Sequence, residues 1–277
     1  MASLFRNLEA MASNGAGGLT PDAHTAIVDA LARLQRPDGG CAAPSGTPDA
    51  YYSCFAWLCL RALDPAAPAI PPLERYLLTC PAASPVDKSC ARLVQLNAAS
   101  RTSPLARLRP LLALLLSPPR DLYASFLYAL ALDAAFASGL PAFLKRRIAK
   151  KISGARDGPQ TATPRLAAKL TLTQPGTPAA AALASLLLQR RRPTGGFASS
   201  AAAPAPDLLA TAVARFALAS CAPAALTPAD TAADLAFTET CWTDDALFAP
   251  APYSTHGDSE HTFYALLALG SCIRNQG

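Results

Sequence analysis

A proline at the start of a helix-like segment recurs six times along the chain, and this repeat limits what the chain can fold into. Four of the six prolines directly follow a threonine or serine, whose hydroxyl can accept from the unpaired amides of a first helical turn. Proline itself lacks the amide that would have no partner at that position. Each of these prolines therefore predicts the start of a helix: Pro21, Pro72, Pro104, Pro141, Pro178 and Pro228.

A second series of helix-like segments lies between the proline-led ones. These segments are apolar on nearly every side, which is typical of buried helices, whereas the proline-led helices are amphipathic. Alternation of outer and inner helices, six times over, predicts an all-α fold, an (α/α)6 toroid of six outer and six inner helices. An open solenoid is the alternative, but it would give the inner helices a polar concave face. The inner segments cover residues 48–63, 86–96, 120–136, 161–172, 206–218 and 258–270.

Composition agrees with one folded unit. The chain has 277 residues, of which 51% are apolar and 16% charged, and this balance excludes a disordered chain. We assign residues 1–19 to an N-terminal arm and residues 20–277 to a single toroid domain.

No apolar run reaches the ~20 residues that span a bilayer, so we expect a cytoplasmic protein without a transmembrane segment. Eight cysteines without a Cys-x-x-Cys pair predict buried free thiols.

The net charge of +5 arises mostly from two basic clusters, at residues 145–151 and 190–192. We interpret them as a solvated helix face and a solvated turn, with an anion or partner surface as the alternative. No aromatic side chains are interleaved with these charges, so nucleic acid is not an expected partner.

Two stretches before inner helices share one plan. "QRPDGG" at residues 35–40 and "QRRRPTGG" at residues 189–196 are each followed by Cys or Phe, a spacer, a Pro-Asp pair and an inner helix. The sixth unit keeps this frame without the glycine pair. The repeat resembles that of protein prenyltransferase β-subunits and of squalene and terpene cyclases. This resemblance implies the toroid fold and an isoprenoid-like or other long apolar substrate.

The resemblance to prenyltransferases also implies a zinc ion, held by an aspartate, a cysteine two residues later and a histidine of the sixth inner helix. These positions are Asp207, Leu209 and His261 here, so the cysteine ligand is replaced. The basic loop that would bind a diphosphate is absent as well. We therefore do not expect an ordinary zinc protein prenyltransferase or its helical partner subunit, although another protein partner stays open.

Three interpretations of the remaining polar residues stay open. Asp207, His256, Asp258 and His261 together would suit zinc or another divalent ion. Alternatively, Asp207, Asp258 and His261 have an acid–base role without a metal, or Asp258 only caps a helix. The Asp-x-Asp-Asp run that supplies the acid of class II terpene cyclases is missing. The nearest match, at residues 243–245, is interpreted as a turn.

The position of a binding site follows from the topology. All inner helices begin at one end of the predicted ring, where their dipoles favour an anion. The loops before the first, fifth and sixth inner helices are long, which favours this end as the mouth. Inner-helix aromatics are expected to form the wall, and three basic residues in buried helices either bind an anion or pair with carboxylates. These candidates are Tyr51, Tyr52, Trp57, Tyr123 and Tyr264, with Arg165, Lys169 and Arg215.

Three functions compete. The first is a divergent prenyltransferase-like or terpene cyclase-like enzyme acting on an isoprenoid or other long apolar substrate in the barrel cavity. The second is a non-catalytic toroid that binds an apolar ligand or a protein. The third is a carbohydrate enzyme in which Asp207 and Asp258 are paired carboxylates.

Overall fold

The computed structural model describes residues 3–42, 46–82, 84–100, 110–114, 122–136, 143 and 160–273. Within these ranges the protein is all-α apart from short paired segments before inner helices. The helices predicted after Pro104 and Pro141 lie outside the described residues, except for residues 110–114 and 143. The helices are α1 (Leu4–Gly17), α2 (Pro21–Leu34), α3 (Ala50–Leu63), α4 (Ile70–Thr79), α5 (Pro85–Ser100), α6 (Leu122–Ala134), α7 (Thr163–Leu172), α8 (Pro178–Leu188), α9 (Leu208–Cys221), α10 (Pro228–Glu239) and α11 (Ser259–Ile273).

Three proline-led helices begin as the sequence predicts. Thr20, Thr177 and Thr227 each accept a hydrogen bond from a backbone amide of the first turn, and proline follows directly in α2, α8 and α10. The helix α4 differs, because it begins at Ile70 ahead of Pro72 and has no side-chain cap. Hydroxyl capping and proline therefore fix the starts of three of the four outer helices that the structure describes.

Short antiparallel hairpins precede two of the inner helices, a feature that the sequence analysis missed. The strand β1 (Cys41–Ala42) pairs with β2 (Pro48–Asp49) before α3, and β3 (Phe197–Ala198) pairs with β4 (Pro206–Asp207) before α9. Two residues are too few to show the alternation of a strand. Before α11 the same frame is reduced to isolated bridges.

The hairpins and the inner helices are joined by repeated hydrogen bonds. The amide of the hairpin residue donates to a serine or threonine one turn inside the helix, at Ser53, Thr211 and Thr262. Asp49 and Asp207, the last strand residues, cap α3 and α9. The frame thus holds a capping aspartate at a fixed place at the start of each of these helices.

The turn before each hairpin needs a left-handed residue. Gly39 and Gly195 have φ angles of 90° and 94°, and Ala246 takes the same position in the sixth unit with φ 62°. A β carbon on Gly195 would lie 2.1 Å from the carbonyl oxygen of Ala233. The backbone therefore requires glycine at this position. In the sixth unit, the left-handed conformation of Ala246 costs about 1 kcal/mol.

The inner helices pack in chain order. Contacts run from α3 to α5, α6, α7, α9 and α11, and α11 in turn contacts α3. The outer helices α2, α4, α8 and α10 each pack against an inner one. The core consists of buried apolar side chains of the inner helices, the outer helices and α1.

The helix α1 lies across the C-terminal ends of inner helices. Ser3 and the Phe5 amide donate to Asp133 at the end of α6, and Asn7 donates to Ser220 at the end of α9. Further along, α1 contacts the ends of α3 and α11. The segment assigned to an arm is thus a packed helix, while the domain boundary at residue 19 stays a prediction. The opposite end, where inner helices begin, is the end with the hairpins.

The basic cluster at residues 190–192 is not a solvated turn, so that interpretation was wrong. Arg190 is only 2% exposed, and its side chain reaches the Thr161 carbonyl. Arg191 forms ion pairs with Asp230 (2.7 Å) and Asp234 (3.2 Å) on α10. These arginines tie the turn to the neighbouring helices. The other basic cluster, at residues 145–151, lies outside the described residues.

All eight cysteines are free and six of them are buried, as the sequence predicts. Among the described residues, no helix combines the length and the apolar character needed to cross a membrane.

Candidate functional site

An apolar cavity of about 310 Å³ lies between α6, α7, α9 and α11. Arg165 is the only charged residue among its described lining residues. The Nε atom of Arg165 is buried without a hydrogen-bond partner among the described residues, while the residue as a whole is part-exposed. The cavity thus combines an apolar wall with one cation. The wall includes Phe126, Arg165, Thr171, Leu209, Phe216 and Tyr264.

A histidine–aspartate pair stands at the start of α11. The Nδ1 atom of His261 is 2.9 Å from both carboxylate oxygens of Asp258, and the His261 amide also donates to Asp258. Because an ionised carboxylate only accepts, Nδ1 donates in this contact, and Nε2 is the ring nitrogen that does not face Asp258. Burial lowers the pKa of His261, but the hydrogen bond and charge of Asp258, with Glu260 and Asp207, outweigh it and raise the pKa above 6.5.

A tyrosine–glutamate contact adjoins this pair. The Tyr51 hydroxyl donates to Glu260 over 2.5 Å, which joins the starts of α3 and α11. The Tyr51 ring packs edge-on against Phe55, which in turn contacts Tyr264 of the cavity wall. Burial and nearby carboxylates raise the pKa of the neighbouring Tyr52 to about 12, so Tyr52 stays protonated at neutral pH.

Asp207 caps α9. Leu209, two residues later in the same helix, lines the cavity. Burial raises the pKa of Asp207, and the Ala210 amide, the Ser199 side chain and the charge of His261 offset only part of this effect. Asp207 therefore keeps its proton to higher pH than an ordinary aspartate. A carboxyl group of this kind is suited to donate a proton.

The polar residues do not fit the zinc site that the prenyltransferase resemblance implies. The position of the thiolate ligand is Leu209, which lies in the apolar wall. Among the described residues, the donor set with atoms within 4.8 Å of one another is Asp258, Glu260 and His261. In the structure His261 binds Asp258, and Glu260 accepts from the Tyr51 hydroxyl. The four-residue metal set stays a prediction, of which the structure brings Asp258 and His261 together.

Of the predicted site residues whose side chains the structure describes, only Arg165 and Tyr264 line the cavity, so Asp207 and His261 do not. His256 is 75% exposed and faces Asp245, and the indole of Trp57 donates to Glu74 on the outer helix α4. Arg215 is fully buried and pairs with Asp234, so it binds a carboxylate of an outer helix. Lys169 is buried but does not line the cavity. The side chain of Tyr123 lies outside the described residues.

Glu260 and the apolar wall of α9 were not among the predicted site residues. A glutamate in the first turn of a helix is an ordinary complement to the helix dipole, so the position of Glu260 alone does not mark it as part of a site. Leu209 and Phe216 lie seven residues apart, a spacing that places two side chains on one helix face. That spacing predicts a shared face but not which partner the face meets.

Comparison with solved structures places the fold. A type II terpene cyclase, MstE from Scytonema in its apo form, matches with a TM-score of 0.62 over 94% of this chain and 98% of that chain, at 12% identity. The chain has the terpene cyclase-like fold that its repeat predicts. A protein from Actinoplanes also matches, with a TM-score of 0.43 and 17% identity over 97% of this chain and 89% of that one. No family model and no curated protein sequence matches the chain.

Replacement of His261 by glutamine is expected to destabilise the protein more at about pH 6 than at about pH 9. The folded-state pKa of His261 is raised, so its charged form stabilises the fold below the unfolded pKa. That stability is lost as the pH rises through the folded pKa. Urea unfolding at several pH values measures the difference. The exposed His256→Gln change is the control, and an equal loss at both pH values for His261→Gln would contradict the prediction.

Proposed function

We propose that this protein is a terpene cyclase-like enzyme that binds an isoprenoid-like apolar substrate in its cavity. The observation that carries the proposal is the apolar cavity between α6, α7, α9 and α11, in a chain with the fold of a type II terpene cyclase. Its volume of about 310 Å³ is at the small end of the roughly 300–1,000 Å³ of ligand pockets. A short isoprenoid chain fits this size better than a long one.

The proposal includes the (α/α)6 toroid. Its support is the order of contacts among the inner helices, which ends with α11 against α3. In such a ring the cavity occupies the lumen, α1 covers the C-terminal ends of the inner helices, and substrate enters from the end where those helices begin.

The proposed reaction begins with a proton from Asp207. The carboxyl proton forms a C–H bond with one carbon of a substrate alkene, and the neighbouring carbon becomes a cation. A second alkene of the same substrate closes the ring by attacking that cation. The last cation loses a proton to the Asp207 carboxylate, so the product is an isomer of the substrate. The positive charge of His261 stabilises the Asp207 carboxylate after the proton has left.

Replacement of Asp207 by asparagine is expected to lower turnover by about 100-fold or more, because a positioned general acid contributes roughly that much. Asparagine caps helices as well as aspartate does, so α9 should keep its start. Turnover is measured by chromatography coupled to mass spectrometry, which separates the isomeric products from farnesol, farnesoic acid, farnesyl diphosphate and their geranylgeranyl counterparts.

Asp49→Asn is the matched control. Asp49 caps α3 through the same hairpin frame and is also buried enough that its pKa is raised. This variant should keep wild-type turnover. Equal turnover in the wild type and Asp207→Asn would overturn the role of Asp207, and equal losses in both variants would assign the effect to the caps.

A second function is favoured by the capping bonds themselves. Asp49, Asp207 and Asp258 each accept from a helix amide, so each carboxylate has a structural role. A toroid that only carries an apolar ligand would show the same bonds. Stoichiometric binding of an isoprenoid without any product in the same assay would support this second function.

A further inference from the structure

One charged side chain, that of the part-exposed Arg165, is found among the described residues that line the cavity. Arg165 belongs to the first turn of α7, and its buried Nε has no hydrogen-bond partner among the described residues. An arginine cannot lose its proton inside a protein, so the charge persists whatever surrounds it. A charge next to an apolar wall is unfavourable unless a group of opposite charge pairs with it.

The other end of the cavity offers no comparable group. Thr171 lines it six residues after Arg165, about 9 Å further along the helix axis. The Thr171 hydroxyl already donates to the Ala168 carbonyl over 2.9 Å. A ligand that matches this arrangement has one anionic end at Arg165 and an apolar body directed towards Thr171.

The number of cations in the cavity wall distinguishes a carboxylate ligand from a diphosphate ligand. A guanidinium presents two parallel N–H donors that match a single carboxylate. A diphosphate carries several negative charges and needs more than one cation in a water-poor site. Arg165 is the only cation among the described lining residues. The charge balance therefore favours a carboxylate over a diphosphate.

We propose that the cavity binds an isoprenoid monocarboxylate, with the carboxylate on Arg165 and the hydrocarbon chain against Leu209 and Phe216. The proposal rests on the proposed function, since it takes the apolar body to be an isoprenoid. The new element is the identity of the substrate's head group, a carboxylate that does not react when the ring closes. Farnesoic acid is the probe of this class.

Isothermal titration calorimetry with farnesoic acid, farnesol and farnesyl diphosphate tests the proposal. The wild type should bind farnesoic acid about tenfold or more tightly than either other ligand. Arg165→Gln should remove this preference while leaving the affinity for farnesol within about twofold. Arg165→Lys, which keeps the charge but not the paired donors, should fall between the two.

Arg33→Gln is the matched control, because Arg33 is an exposed arginine of the outer helix α2. It should behave as the wild type. Equal affinities for the acid and the alcohol, a preference for the diphosphate, or an unchanged preference in Arg165→Gln would overturn the carboxylate assignment alone. Failure of every isoprenoid to bind the folded wild type would overturn the proposed function as well.

Discussion

Asp234→Ala is expected to lower the free energy of unfolding by about 3–5 kcal/mol, because it leaves a buried arginine without its counter-charge. Asp234 is fully buried on α10, and its carboxylate lies 3.3 Å from the buried Arg215 and 3.2 Å from Arg191. It also accepts from the Gly196 amide over 2.9 Å. Loss of this carboxylate therefore loosens the hairpin turn, α9 and α10 together. Urea unfolding measures the change.

Glu9→Gln is the matched control for that prediction. The Arg61–Glu9 ion pair has side chains that are 23% and 24% exposed, so removing its charge should cost less than about 1 kcal/mol. Asp234→Asn keeps the acceptor for Gly196 and should fall between the two, which gives a measurable variant if Asp234→Ala does not fold. Equal losses in Asp234→Ala and Glu9→Gln would show that the buried network does not stabilise the fold.

Local chemistry explains why much of the helical frame was predictable. Threonine caps followed by proline fix the starts of α2, α8 and α10 from two adjacent residues. The N-terminal helix has the same kind of signal, since Ser3 caps it and its buried residues recur at helical spacing. It was assigned to an arm because nothing in the sequence shows that its apolar face meets the ends of inner helices.

A candidate site residue was predictable from the sequence where its side chain is of a type that is rare in its helix, such as a basic residue in an apolar helix. Arg165 stood out as a basic residue in an apolar helix, and it lines the cavity. Arg215 stood out for the same reason, but its partner is Asp234, on an outer helix 19 residues later. Pairing across helices depends on how the helices pack, and a single sequence does not specify that packing.

Gly270→Ala is expected to lower the free energy of unfolding by about 3 kcal/mol, at the upper end of the usual cost of overpacking. A β carbon on Gly270 would lie 1.7 Å from the Met11 carbonyl oxygen, and one on Gly15 would lie 1.9 Å from the Leu266 carbonyl oxygen. Both obstacles are backbone atoms, so no side chain can move aside. Alanine gains only about 1 kcal/mol over glycine inside a helix, which does not offset the clash. Urea unfolding measures the change.

Gly17→Ala separates the clash from helix propensity. Gly17 is in the last turn of α1, and a β carbon there would meet nothing within 4 Å, so this variant should unfold at the same urea concentration as the wild type or a higher one. Because α1 covers the ends of the inner helices, Gly270→Ala should also speed proteolysis near residues 18–20, and Gly17→Ala should not. Equal stability of the two variants would mean that α1 can move away from α11 at little cost, and that the close crossing does not hold it in place.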